Sequence, residues 1–117
     1  TDALGIGVFN GVTAKRLYLG SARGSDVYSV VLDAKGDFTD EVRHEFALAA
    51  LPDGNSTSVR KFDFVRDAQG QYLLQAKETE FGFRLMAENN LRKRMYRFVY
   101  EADKETWRFL NTVAENP

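Results

Sequence analysis

The chain has 117 residues, with 16 Lys and Arg against 17 Asp and Glu, a formal charge of -1 and no cysteine. That balance excludes a global field that would attract nucleic acid or an anionic membrane, and the missing thiols exclude disulfides, thiolate catalysis and Cys-ligated zinc together. A hydrophobic fraction of 44%, including 9 Phe, 5 Tyr and 1 Trp, is ample for a single-domain core over residues 1–117. A domain of this size buries roughly two thirds of its unfolded surface.

In chain order, Leu4, Ile6 and Val8 alternate with Gly5, Gly7 and Phe9 up to Asn10-Gly11, a turn signal, so the spacing predicts a hairpin continuing through residues 17–19. Residues 20–26 read as a polar loop. Tyr28, Val30 and Leu32 then mark the inward face of a strand that ends in a turn at residues 33–37. Residues 42–51 alternate at Val42, His44, Phe46 and Leu48 but contain the helix-favouring stretch from Ala47 to Leu51. A strand is the preferred reading, with Pro52-Asp53-Gly54 as a hairpin turn into residues 59–65, where Phe62 and Phe64 share a face. After a turn at residues 67–70, strands are expected at 72–76, at 81–86 with Phe83 and Leu85 aligned, and at 95–100 with Tyr96, Phe98 and Tyr100 aligned.

Asp103 suits a helix N-cap, and Trp107, Phe109, Leu110, Val113 and Ala114 fall on one arc opposite charged residues. The expected fold is therefore mainly β: an antiparallel seven- to eight-stranded barrel or bent sandwich, closed by one C-terminal amphipathic helix over about 103–116. No apolar run reaches the roughly 20 residues of a membrane span, so no transmembrane segment is expected.

Few residues suggest chemistry. Gly5, Gly7 and Gly11 lack the Lys-Ser/Thr of a phosphate loop and read as a turn. His44, the one histidine, has no second His or Cys with which to build a zinc site and reads as a buried or half-buried structural imidazole. Asp33, Asp37, Asp40 and Glu41 do not have EF-hand spacing and read as turn residues. Two basic clusters, Lys15, Arg16 and Arg23, and Arg92, Lys93 and Arg94, form a candidate binding patch for phosphate head groups or an acidic peptide. The competing reading is charged hairpin tips that keep a sheet edge soluble. Phe62, Phe64, Phe83, Tyr96, Phe98 and Trp107 are the candidate core or cavity lining.

Phe9-Asn10-Gly11, Gly24, Asp33 with Gly36, Asp53-Gly54, Arg60 with Phe62, Gly70 with Tyr72 and Ala76, and Asp103 with Thr106-Trp107 together resemble a family of bacterial lipoproteins of unknown function with a lipocalin-like barrel. The chain departs from that family at Phe62, where a Trp is expected. The resemblance implies a periplasmic or extracytoplasmic location; without it, the cytoplasm is equally open. Tyr96-Arg97-Phe98 leading into Asp103 and Trp107 also resembles the ending of the pleckstrin-homology superfold, which implies head-group candidates at Lys15, Arg16 and Arg23.

The single His and the lack of paired carboxylates point to binding rather than catalysis, with no cofactor expected. The first expectation is a small apolar ligand or lipid held in or at a barrel. The alternative is a protein-interaction module that uses a sheet edge, the helix or a basic patch. A lined cavity with an open mouth favours the first; a filled interior with an exposed apolar patch favours the second.

Overall fold

The computed structural model describes residues 5–21, 24–52, 54, 58–78 and 94–114. Arg23, Phe83, Arg92, Lys93 and the strand expected at 81–86 lie outside the described residues. Eight strands are present: β1 (Ile6–Asn10), β2 (Lys15–Gly20), β3 (Asp26–Leu32), β4 (Phe38–Ala47), β5 (Val59–Arg66), β6 (Tyr72–Glu78), β7 (Arg94–Glu101) and β8 (Thr106–Ala114). They make two four-stranded antiparallel sheets, ordered β1-β2-β3-β4 and β5-β6-β7-β8.

Each sheet is a meander of consecutive strands, and the turn chemistry shows why. Asp33 Oδ1 accepts from the backbone N–H groups of Lys35 and Asp37, both at 2.9 Å, while Gly36 adopts φ 88°. Asp67 repeats the device with Gln69 and Gln71, and Gly70 takes φ 84°. A short carboxylate that bonds its own turn, followed by a glycine in the left-handed region, reverses the chain at little cost.

The sheets do not close into the expected barrel. Among the described residues a backbone hydrogen bond joins them along one side, where Gly5 N–H donates to Val59 C=O at 3.0 Å, while Gly20 N–H donates to Gly5 C=O at 3.0 Å within the first sheet. A Cβ on Gly5 or Gly20 would lie 2.9 or 2.7 Å from the Val59 oxygen, so this approach requires glycine at both positions. On the other side β4 and β8 are both edge strands, and the side chains of β4 reach the β7–β8 turn and β7. Arg43 Nη2 donates to Glu105 C=O at 2.8 Å, and the Phe46 ring stacks on Phe98 with centroids 4.2 Å apart.

The expected C-terminal helix is the strand β8. A bulge accounts for the difference: Phe98 pairs with Phe109 while Arg97 pairs with Asn111, so Leu110 is an extra residue in β8. One inserted residue breaks the period of two, and Trp107, Phe109, Leu110 and Val113 then mimic a helical arc. The strand content of the segment (Thr, Trp, Phe, Thr, Val) had pointed the other way. Asp103, read as an N-cap, lies in the β7–β8 turn, where Lys104 N–H donates to Glu101 C=O and Glu105 has φ 54°.

Two further expectations are corrected. Residues 42–51 divide into the end of β4 and a 3-10 turn at Leu48–Ala50, so only the first part is strand. Pro52 and Gly54 belong to the crossing from one sheet to the other and not to a hairpin.

The core lies between the sheets. Phe9 is central, with its ring centroid within 5.2 Å of those of Phe64, Tyr72, Tyr100 and Trp107. Tyr18, Val27, Leu48, Val59, Phe62, Leu74, Ala76, Tyr96 and Phe98 complete the buried cluster. Glu78 is also buried, its carboxylate accepting from Tyr96 OH at 3.1 Å and from Arg94 N–H at 3.0 Å. Burial, then the Glu78 charge, pushes the Tyr96 hydroxyl up to about 12.

Candidate functional site

The cross-strand registers of the first sheet place four side chains in each of three ranks on its outer face. The first rank is Asn10, Lys15, Leu32 and Phe38; the second is Val8, Leu17, Val30 and Val42; the third is Ile6, Leu19, Tyr28 and His44. Nine of these twelve positions are apolar, and the middle rank is apolar from edge to edge. Phe38 is 68% exposed, Val42 63% and Ile6 60%, with Val8 and Tyr28 also exposed. Solvated antiparallel sheets ordinarily carry polar residues at these positions.

Tyr28, Val30 and Leu32 were expected to face inward; they lie on the outer face, where Tyr28 is exposed, Leu32 half-buried and Val30 buried at 6% exposure by its neighbours. The inward residues of β3 are Val27, which joins the core cluster, and Ser29, which is fully buried. His44 was expected to be buried or half-buried on the face of Val42 and Phe46; its side chain is 49% exposed, beside Val42, with Nε2 2.9 Å from Asp26 Oδ1. Phe46 points to the other face because the register of β4 shifts between Val27 and Tyr28, which leaves Glu45 as an extra residue.

The bulge gives Glu45 its own role. Its side chain is 3% exposed and accepts from Ser29 Oγ at 2.6 Å and from Arg43 Nε at 2.8 Å. Ser29 Oγ accepts in turn from Arg16 Nη1 at 2.9 Å. The two guanidinium groups, the hydroxyl and the carboxylate form one satisfied network on the inner face, the condition under which buried polar groups are tolerated. Nearby, Trp107 Nε1 donates to Tyr18 OH at 3.0 Å across the sheets, and burial pushes the Tyr18 hydroxyl up to about 12.

At the same end, the tip of the β1–β2 hairpin is clamped to the tip of the β7–β8 hairpin. Thr13 Oγ1 donates to Glu105 Oε2 at 2.7 Å, Thr13 N–H donates to Oε1 at 3.3 Å, and Val12 N–H donates to Tyr100 OH at 3.4 Å. The Thr13 hydrogen bonds hold the Glu105 carboxyl below its ordinary value. A non-glycine residue at positive φ is uncommon, and here it aims the carboxylate at the clamp.

The residues singled out as a basic patch are not brought together where they are described. Lys15 is exposed on the outer face, whereas Arg16 points inward to Ser29, because neighbours in a strand face opposite ways. Arg94 is half-buried and its N–H donates to Glu78. Phe62, Phe64, Tyr96, Phe98 and Trp107 pack in or against the core cluster. Among the described residues no group of three or more His, Cys, Asp or Glu is placed to hold a metal, and no helix is long and apolar enough to cross a membrane.

No protein-family model, curated protein or solved structure matches this chain.

Proposed function

We propose that the protein is a non-catalytic binding domain that presents the outer face of its first sheet to a macromolecular partner. The observation that carries this reading is the middle rank, Val8, Leu17, Val30 and Val42, apolar across all four strands, exposed at Val8 and Val42, closed over at Val30, and flanked by exposed Ile6, Tyr28 and Phe38. Contiguous apolar surface of this kind mark interaction sites on soluble domains. β3 supports the reading from its sequence, since Val27, Tyr28, Val30, Val31 and Leu32 leave neither face polar, the pattern of a strand covered on both sides.

A small apolar ligand between the sheets is the other reading that the sequence raised. The Phe9 ring already occupies the centre of that space and touches four other rings, so a ligand there has to displace it. Ile6→Ser with Val8→Ser separates the two readings. Both side chains are exposed, so the expected change in stability is within about 0.5 kcal/mol. Retention on a hydrophobic-interaction column and binding of an anilinonaphthalene dye are expected to fall sharply. Unchanged retention, together with a small molecule of constant mass on the native protein in mass spectrometry, would move the binding site to the interior.

A further inference from the structure

We propose that the outer face of the first sheet docks a protein segment that is apolar on one side and carries Lys or Arg along the edge that meets β4. The inference rests on the reading of that face as an interaction surface and names the chemistry of its partner.

The face is most open on β4, where Phe38 is 68% and Val42 63% exposed. Asp37, Asp40 and Glu41 alternate with these two residues along the chain and are exposed as well. Their carboxylates have no hydrogen bond or ion pair, and among the described residues Asp103 is the one other acid of which that is true. Every other described carboxylate meets a cation or a hydroxyl, or bonds its own turn. Between Leu32 and Arg43 the chain sets Lys35 alone against Asp33, Asp37, Asp40 and Glu41. Arg43 itself is turned to the inner face, where Glu45 and the Glu105 carbonyl hold it.

Charge complementarity chooses the occupant. Covering Phe38 and Val42 with a neutral apolar surface brings three free carboxylates to the rim of the contact, with nothing to offset the water they lose. A Lys or Arg at the edge of the partner supplies the missing charge-assisted bonds and steers the encounter. An anionic membrane or a nucleic acid is repelled by the same groups. A second copy laid face to face brings the same carboxylates, with Lys15 as the one Lys or Arg among the twelve positions of the three ranks. Phe38 is the anchor, since exposed aromatics carry a large share of binding energy once covered.

Fluorescence anisotropy of the full chain with two labelled peptides tests the proposal, one an amphipathic pattern of Leu and Lys, the other with Glu at every Lys position. The Leu-Lys peptide is expected to bind about tenfold more tightly than the Leu-Glu peptide, and to weaken as salt rises. Asp37→Asn, Asp40→Asn and Glu41→Gln combined, and Phe38→Ser alone, are each expected to weaken it about tenfold with an unchanged melting temperature. Asp103→Asn, on the β7–β8 turn, is expected to leave binding as it is. A Leu-Lys peptide that stays free, that binds no better than Leu-Glu, or that is indifferent to the three amides or to Phe38→Ser overturns the basic partner. Adsorption to phosphatidylglycerol vesicles, or a doubling of mass in sedimentation, with the peptides left free gives the face to another occupant and overturns it equally. Ile6 and Val8 lie on β1, at the opposite edge of the sheet, so the dye and column experiment judges the apolar face independently of this result.

Discussion

On the outer face of the second sheet, Lys77 Nζ lies 3.1 Å from Asp63 Oδ2, Arg108 Nε lies 3.0 Å from Glu101 Oε2, and Arg97 Nη1 donates to Asn111 Oδ1 at 3.2 Å. Its exposed aliphatic residues, Val65 and Leu110, stand on opposite edge strands. At the corresponding positions of the first sheet, Leu17 faces Val8 and Val30, and Leu19 faces Ile6 and Tyr28. Both sheets are four-stranded meanders on one shared core. The outer face of the second combines these cross-strand polar pairs with one apolar rank, Val65, Leu73 and Val99, whereas that of the first is apolar at nine of twelve positions.

Breaking the shared core should erase this contrast by harming both sheets alike. Phe9→Ala removes the ring at the centre of four aromatic contacts and is expected to cost about 3–5 kcal/mol, read as a large fall in melting temperature. High pH attacks the same region. Tyr18 and Tyr96 are pushed up to about 12 from an ordinary 10.0, so the unfolded chain loses these protons first as pH rises. Their contribution is therefore complete below pH 10 and is lost as pH climbs through about 12, at about 2–3 kcal/mol each. Denaturant titrations between pH 9 and 12 should show a loss of stability, and Tyr18→Phe should reduce its steepness.

The smallest effects sharpen the contrast. Lys77→Ala removes an ion pair of the second sheet and is expected to cost about 0–1 kcal/mol, diminishing with added salt, in thermal denaturation. The serine variants of Ile6 and Val8 are expected to leave stability in place and change adhesion alone.

The strands were legible because alternation and the two Asp-x-x-Gly turns are local signals. Which side of a strand faces in was not legible. On β3, the set Tyr28, Val30 and Leu32 is more apolar than Val27, Ser29 and Val31, yet it faces out, because the inner positions near Ser29 serve the Arg16, Arg43 and Glu45 network. Alternation detects a strand; it assigns the core side only when one face is wet. The β8 segment failed for a second reason, since a single extra residue at Leu110 converts a period of two into an apparent helical arc. The inner polar network was hidden as well, because Arg16, Ser29, Arg43 and Glu45 are scattered over three strands and meet only once the register and the Glu45 bulge are known. The one available signal was two apolar phases on the same strand, which leave neither face of it marked as the wet one.

The clamp between Thr13 and Glu105 joins residues 92 positions apart. During synthesis the first sheet emerges complete, hairpin by hairpin, while the residues that cover its inner face are still to be made. Until β8 leaves the ribosome, Phe9 and Tyr18 on the inner face lack the cover of Trp107. The last fifth of the chain thus sets the time at which the inner face of a nascent sheet ceases to be a hazard.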